Sequence, residues 1–309
     1  MPNVNFTSKG FKDLESQHLE LNTFIKFSVI AVDHLKNQDI SEDELKDLIA
    51  GLIKGAGERW VATRYSNPIS KLDMVRLRLT KSGIMWVYSA FDVFLNYTHS
   101  YCSERIEPSG TLETEDKTEK IKIEQLFNKY NWNLNQLNFL MPLLNFYIES
   151  RHCIVHNMAK ASKKLRDILE SQEFALAIEN WPTVKPERSL SPAPIILEDG
   201  QILFNPHHAI TFSDICLRIA RIADLNIFNE LKDAHFVIEC AEKRLIKPNQ
   251  FYGPHCKDVY AYLKCQLWDE YHIHTIHNMD IKKILEDSGD LEIYKRKYNS
   301  LKSTLILDK

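Results

Sequence analysis

Glycine and proline are scarce, with 9 and 11 in 309 residues. That scarcity excludes collagen-like and low-complexity chains, argues against a turn-dense all-β fold and leaves long helices as the expectation. Long hydrophobic runs are missing too. The longest, from Phe24 to Val32, is interrupted by Lys26 and falls far short of the ~20 residues that span a bilayer, so no membrane contact is expected. The opening MPNVNFTSKGFKDLESQ has no charged stretch followed by an apolar one. No secretory signal is read there, and a cytoplasmic location is expected. Neither sign of charge dominates: 39 Lys and Arg stand against 42 Asp and Glu, a net charge of −3. This excludes a globally basic nucleic-acid coat and confines any polyanion site to a local patch. The six cysteines, Cys102, Cys153, Cys216, Cys240, Cys256 and Cys265, are scattered without CxxC pairing and read as reduced core residues. P-loop, GxGxxG, GxSxG and HExxH motifs are absent, so nothing points to an ATPase, dinucleotide enzyme, serine hydrolase or zincin.

What is present is enough apolar residue, 44% of the chain, to bury a substantial core. Helical spacing of apolar residues predicts helices over 13–35, over 41–54 with a capping box of Ser41 and Glu44, and over 70–102. The charged stretch 104–122 reads as a loop. A further helix is expected from about Asn135 through Met158, continuing or restarting over 163–174. Four prolines between Pro182 and Pro194 rule out helix there, and a short β-hairpin is expected around Asp199-Gly200. Helix resumes over 210–244, with Thr211 or Ser213 as N-cap, and three short helices follow over 254–268, 280–287 and 290–302. The fold class is mainly α: a helical bundle at 70–245 with a small β-hairpin insertion, an N-terminal helical extension at 1–69 and a C-terminal one at 246–309.

The informative segment is LLNFYIESRHCIVHNM, ending at Met158. On a helical wheel Leu140, Leu144, Tyr147, Ile154 and Met158 form one apolar stripe, and Arg151 sits inside it. A second stripe, Asn145, Glu149, His152 and His156, is wholly polar. Arginine offers a permanently charged fork for phosphate oxygens, and histidine moves protons near neutral pH, a combination suited to phosphodiester chemistry on RNA. Five residues apart, Arg151 and His156 lie roughly 140° apart on an ideal helix. Two such helices packed symmetrically in a homodimer would complete a site and explain an arginine within an apolar stripe. Lys160, Lys163, Lys164 and Arg166 follow at once, either as RNA-phosphate contacts or as a solvated helix face.

The run Arg151-His-Cys-Ile-Val-His156, with Asn157 near a helix end, resembles the R-x4-6-H signature of HEPN (higher eukaryotes and prokaryotes nucleotide-binding) domains. The 70–102 helix with SAFDVFL and the hairpin followed by helix are similar to that fold, over roughly residues 70–245. The resemblance implies an all-α, homodimeric endoribonuclease that needs no metal or other cofactor, often a toxin or antiviral-defence effector restrained by an inhibitor or antitoxin. It implies that Arg151 binds the scissile phosphate and His156 acts as general acid or base. His152 stands where the family usually carries a polar residue, often Asn or Asp; His152, Asn157 and Glu149 are supporting candidates, with Glu149 orienting a histidine. The alternative is a catalytically inactive scaffold that dimerises or binds nucleotide, with Arg151 paired to an acid such as Asp92. Outside this segment, His272, His274 and His277 with Cys256 and Cys265 are candidate zinc ligands without a closed-site spacing, and His207-His208 reads as a loop pair.

Overall fold

The computed structural model describes residues 6–58, 60–61, 65–108, 122–181, 193–248, 255–274 and 276–307. Among them the chain is mainly α, with one two-stranded sheet. Its helices are α1 (Lys9–Lys36), α2 (Glu42–Gly55), α3 (Pro68–Ser103), α4 (Lys122–Lys129), α5 (Met141–His156), α6 (Lys163–Glu170), α7 (Gln172–Glu179), α8 (Pro206–Ala241), α9 (Val259–Tyr271), α10 (Asn278–Asp287) and α11 (Leu291–Leu307). The strands are β1 (Ile195–Ile196) and β2 (Ile202–Leu203). No described helix is long and apolar enough to cross a membrane. The chain forms two compact units that do not follow the linear division 1–69, 70–245 and 246–309: one comprises Met1–Asp13, Phe94–Gln136 and Ile219–Lys309, the other Leu14–Val93 and Leu137–Arg218. The reason is that α1, α3 and α8 are long enough to supply residues to both.

The unit containing α5 is built on close helix approach. Ser41 and Glu44 form the expected capping box on α2. Asn67 accepts the Ser70 N–H at 2.8 Å ahead of α3, whose first residue, Pro68, has no N–H to satisfy. Val32, Leu45 and Leu72 bury together, joining α1, α2 and α3. At Gly83 a Cβ would lie 2.8 Å from the Ala209 Cβ and 3.1 Å from Ile25 Cδ1, so only glycine lets α3 run this near α8 and α1. On α5, Leu143, Leu144, Phe146 and Tyr147 are buried. Tyr147 stacks on Phe212 at 4.8 Å and Phe146 packs on Phe174 at 5.1 Å. Each such side chain contributes about 1.5–3 kcal/mol on burial, enough to fix which face of α5 remains outward.

Several boundaries differ from the periodicity. A 3-10 turn, Leu134–Leu137, precedes α5, which starts at Met141 because Pro142 fits only a helix's first turn. The segment 163–174 is split, since Ser162 caps α6 through the Leu165 N–H and Ser171 caps α7 through the Phe174 N–H. Helix α8 starts at Pro206, where Asn205 accepts the His208 N–H at 3.2 Å; Thr211 and Ser213 are buried inside it and cap nothing. The hairpin forms as expected, with Ile195 opposite Leu203, Ile196 opposite Ile202, and Gly200 at φ +85° in the turn. Most of the predicted 104–122 loop and the proline-rich stretch fall outside the described residues, at 109–121 and 182–192.

The other unit buries Phe6 against Phe228, Phe236 and Tyr271. The Ser8 N–H donates to Asp224 at 2.9 Å, and Arg221 donates to the Phe6 carbonyl at 2.9 Å while lying over the Phe11 ring. Asp258 caps α9, and α9, α10 and α11 pack on one another. Cys102, Cys153, Cys216 and Cys240 are buried thiols, as expected of core residues, whereas Cys256 is half-buried and Cys265 is exposed.

Candidate functional site

The last two turns of α5, the turn that ends it, the hairpin and the start of α6 make one local assembly. Burial of Leu144, Tyr147 and Cys153 turns the opposite side of the helix outward. His152 and His156, four residues apart, are exposed, and their ring centroids are 4.6 Å apart. No hydrogen bond or ion pair engages either ring among the described residues.

Arg151 is half-buried, its guanidinium 4.6 Å from the centre of the Tyr88 ring on α3. This explains how a cation sits in the apolar stripe: the ring's negative face receives it and the methylene stem packs. Arg151 pairs with no carboxylate among the described residues, Asp92 included. Its charge is therefore uncompensated by an acid among the described residues. Nothing in the primary structure singled out Tyr88, one aromatic among many on α3.

Among the described residues Glu149 meets no histidine. It accepts the Ser162 hydroxyl at 2.7 Å and faces Lys164 Nζ at 3.9 Å. Its carboxylate thus ties α5 to the start of α6, since Ser162 also caps that helix. Asn157 is the exposed C-cap of α5, its N–H donating to the Cys153 carbonyl at 3.0 Å. The next two residues, Met158 and Ala159, have φ of 51° and 64°, a left-handed pair without glycine. Such residues cost roughly 1–2 kcal/mol each and persist only where surroundings over-determine them. Here the Ala159 N–H donates to the Cys153 carbonyl at 2.8 Å, the Ile202 N–H to the Ala159 carbonyl at 3.0 Å, and the Ala161 N–H to the Gly200 carbonyl at 2.9 Å. The hairpin is therefore the brace of the motif's end. Met158, expected in the apolar stripe, is 81% exposed because the helix ends before it.

Lys160, Lys163, Lys164 and Arg166 are all exposed beside this turn. Lys164 meets Glu149, whereas Lys160 and Lys163 make no ion pair among the described residues. With the N-terminus of α6 they form a local positive field on a chain that is nearly neutral overall.

The remaining candidates separate. His272 ends α9 in the left-handed conformation, and His272 and His274 flank Trp268 with ring centroids at 5.1 and 3.5 Å. Among the described residues no group of three or more His, Cys, Asp or Glu side chains is placed to hold a metal. His207 and His208 are in the first turn of α8 and not in a loop; His208 is buried with Nδ1 3.0 Å from the Asn205 N–H. One polar group went unnoticed in the primary structure: His18 Nδ1 lies 2.8 Å from the Ser213 hydroxyl and its Nε2 2.8 Å from Asn22. Burial lowers the His18 pKa, and the set braces α1 against α8. No family model matches the chain, no curated protein matches its sequence, and no solved structure matches its fold.

Proposed function

We propose that this chain is a metal-independent endoribonuclease of the HEPN type, acting as a homodimer in which Arg151 and His156 of two copies compose the site. The observation that carries this reading is an arginine without an acid among the described residues and two exposed imidazoles, on the closing turns of one braced helix beside a cluster of lysines. Arg151 neutralises the phosphate as charge builds in the transition state. His156 takes the proton from the ribose 2′-OH, the 2′-oxygen bonds to phosphorus, and the phosphorus bond to the 5′-oxygen breaks. The same residue of the second copy protonates the departing 5′-oxygen, leaving a 2′,3′-cyclic phosphate and a 5′-hydroxyl. Lys160, Lys163 and Lys164 hold neighbouring phosphates.

Two copies are invoked because Arg151 rests on Tyr88 while His156 neighbours His152, and five residues of helix set Arg151 and His156 roughly 140° apart. Met85 and Val93 on α3 and Val155 on α5 are exposed apolar side chains that a second copy would cover. An effector role in defence or toxicity, under an inhibitor or antitoxin, belongs to the same proposal. The packing of Arg151 on Tyr88 also suits the second reading, an inactive scaffold.

The test is incubation of the wild-type chain, Arg151→Ala and His156→Ala with tRNA and total RNA, with and without excess EDTA, with fragment ends mapped and mass measured by light scattering. Cleavage by a wild-type dimer alone, with cyclic-phosphate ends, is expected. Equal RNA integrity in all three samples favours the scaffold, and cleavage abolished by EDTA overturns the mechanism.

A further inference from the structure

We propose that His152 and His156 form a two-imidazole clamp for a divalent first-row transition ion. Residues four apart on a helix share a face, and these two hold their ring centroids 4.6 Å apart without hydrogen bonds or ion pairs among the described residues. A first-row ion sits about 2.0–2.1 Å from each imidazole nitrogen, which places the two ring centres roughly 4.5–5.2 Å apart for angles between right-angled and tetrahedral. The pair already stands at that separation. Loading therefore calls for side-chain torsions to turn and leaves the backbone of α5 in place, which keeps the ordering cost small.

Donor chemistry selects the ion. Two neutral nitrogens without a carboxylate suit zinc, nickel or copper and not magnesium or calcium. The carboxylate nearest in the stripe, Glu149, is engaged by Ser162 and Lys164. Placement acts both ways: His156 is the last residue of α5, where the helix dipole favours a cation, while the exposed Lys160 and Lys163 beside the turn oppose one, so the imidazole nitrogens must supply the affinity. Two ligands leave the remaining positions open to water, to a phosphate oxygen or to a second copy of the pair.

An ion held by His156 occupies the nitrogen that the proposed cleavage needs, so loading would switch the nuclease off. That consequence rests on the ribonuclease reading; the binding does not.

The experiment is calorimetric titration of the full chain with Ni2+ alone, in a non-coordinating buffer at pH 7.5. His152→Ala, His156→Ala, Arg151→Ala and His274→Ala are titrated alongside, with helicity checked by circular dichroism. Expected is a site whose affinity falls at least tenfold in both His152→Ala and His156→Ala and stays within twofold in Arg151→Ala and His274→Ala. Equal affinity in the wild type, His152→Ala and His156→Ala overturns the clamp, as does loss in only one of those two. No RNA enters this measurement. A chain that binds Ni2+ through both histidines yet leaves RNA intact keeps the clamp and loses the nuclease; cleavage with no such binding does the reverse.

Discussion

Two arginines of this chain sit over tyrosine rings in nearly the same way and differ in everything else. Arg105 lies 4.1 Å from the Tyr101 ring centre and Arg151 lies 4.6 Å from that of Tyr88. Arg105 also donates to Glu239 and to Glu104, each at 2.8 Å, and Glu239 receives His235 and the Tyr101 hydroxyl as well. Burial opposes ionisation of Glu239, but hydrogen bonds from His235 and Arg105 outweigh it and draw its pKa down to about 2. Arg151 has the ring and no carboxylate among the described residues. The difference separates a cation spent on holding the fold from one whose charge is still available to an anion from outside.

The largest expected effect breaks the comparison at Arg151. Arg151→Ala and His156→Ala should each lower RNA cleavage by about a hundredfold or more, with a stability cost in Arg151→Ala of about the 0.5–1 kcal/mol of its contact with Tyr88 and little change in His156→Ala, whose ring is exposed. A variant that unfolds with its activity would make Arg151 another Arg105. Glu239→Gln should do the opposite, costing about 1–3 kcal/mol in urea unfolding without changing cleavage by the folded protein. Its pH signature has a definite sign. Because the folded-state pKa of Glu239 is depressed, its contribution is full above the ordinary carboxylate range and disappears as pH falls toward 2. Wild type should therefore lose more stability than Glu239→Gln between pH 5 and pH 2.5.

A third variant sharpens the contrast from the acidic side. Asp224 is fully buried, takes the Ser8 N–H and makes no ion pair among the described residues, and burial raises its pKa to about 7. The folded state thus holds a proton that the unfolded chain releases above about pH 4, so stability falls as pH rises from there to about 7 and then levels. Asp224→Asn should gain about 1–3 kcal/mol on wild type between pH 5 and pH 8, read from urea midpoints at both values; a constant difference would show that the carboxyl stays ionised. The smallest effect concerns the ring. Tyr88→Leu should cost about 0.5–1 kcal/mol, recovered by Tyr88→Phe, which keeps the aromatic face.

Legibility in the primary structure followed the range of the interaction. The capping box at Ser41 and the hairpin at Asp199-Gly200 depend on residues a few positions apart and are where the spacing placed them, and three C-terminal helices form as expected, although the first starts at Val259, where Asp258 caps it, and not at Pro254, and the last runs on to Leu307. The start of α5 was misjudged because an apolar run does not reveal that Pro142 fits only a first turn. Thr211 and Ser213 suit an N-cap equally well in isolation, and only burial shows that they are interior residues of α8. Glu149 was drawn toward the histidines by helical spacing, yet Ser162 and Lys164, brought round by the turn at Met158, compete for it and win.

The residues alone determined that the chain is helical, that no described helix spans a membrane, and that Arg151, His152 and His156 ride on one helix near its end, because composition and period are properties of neighbours in sequence. Only the tertiary structure decided that Arg151 rests on Tyr88 without an acid, that the two imidazoles stand 4.6 Å apart without other partners among the described residues, and that the hairpin braces the turn between them and the lysines. The seat of Arg151 and the brace by the hairpin rest on contacts between residues far apart in the chain, and hydrophobic burial, which selects them and turns the imidazoles outward, acts on area and not on order.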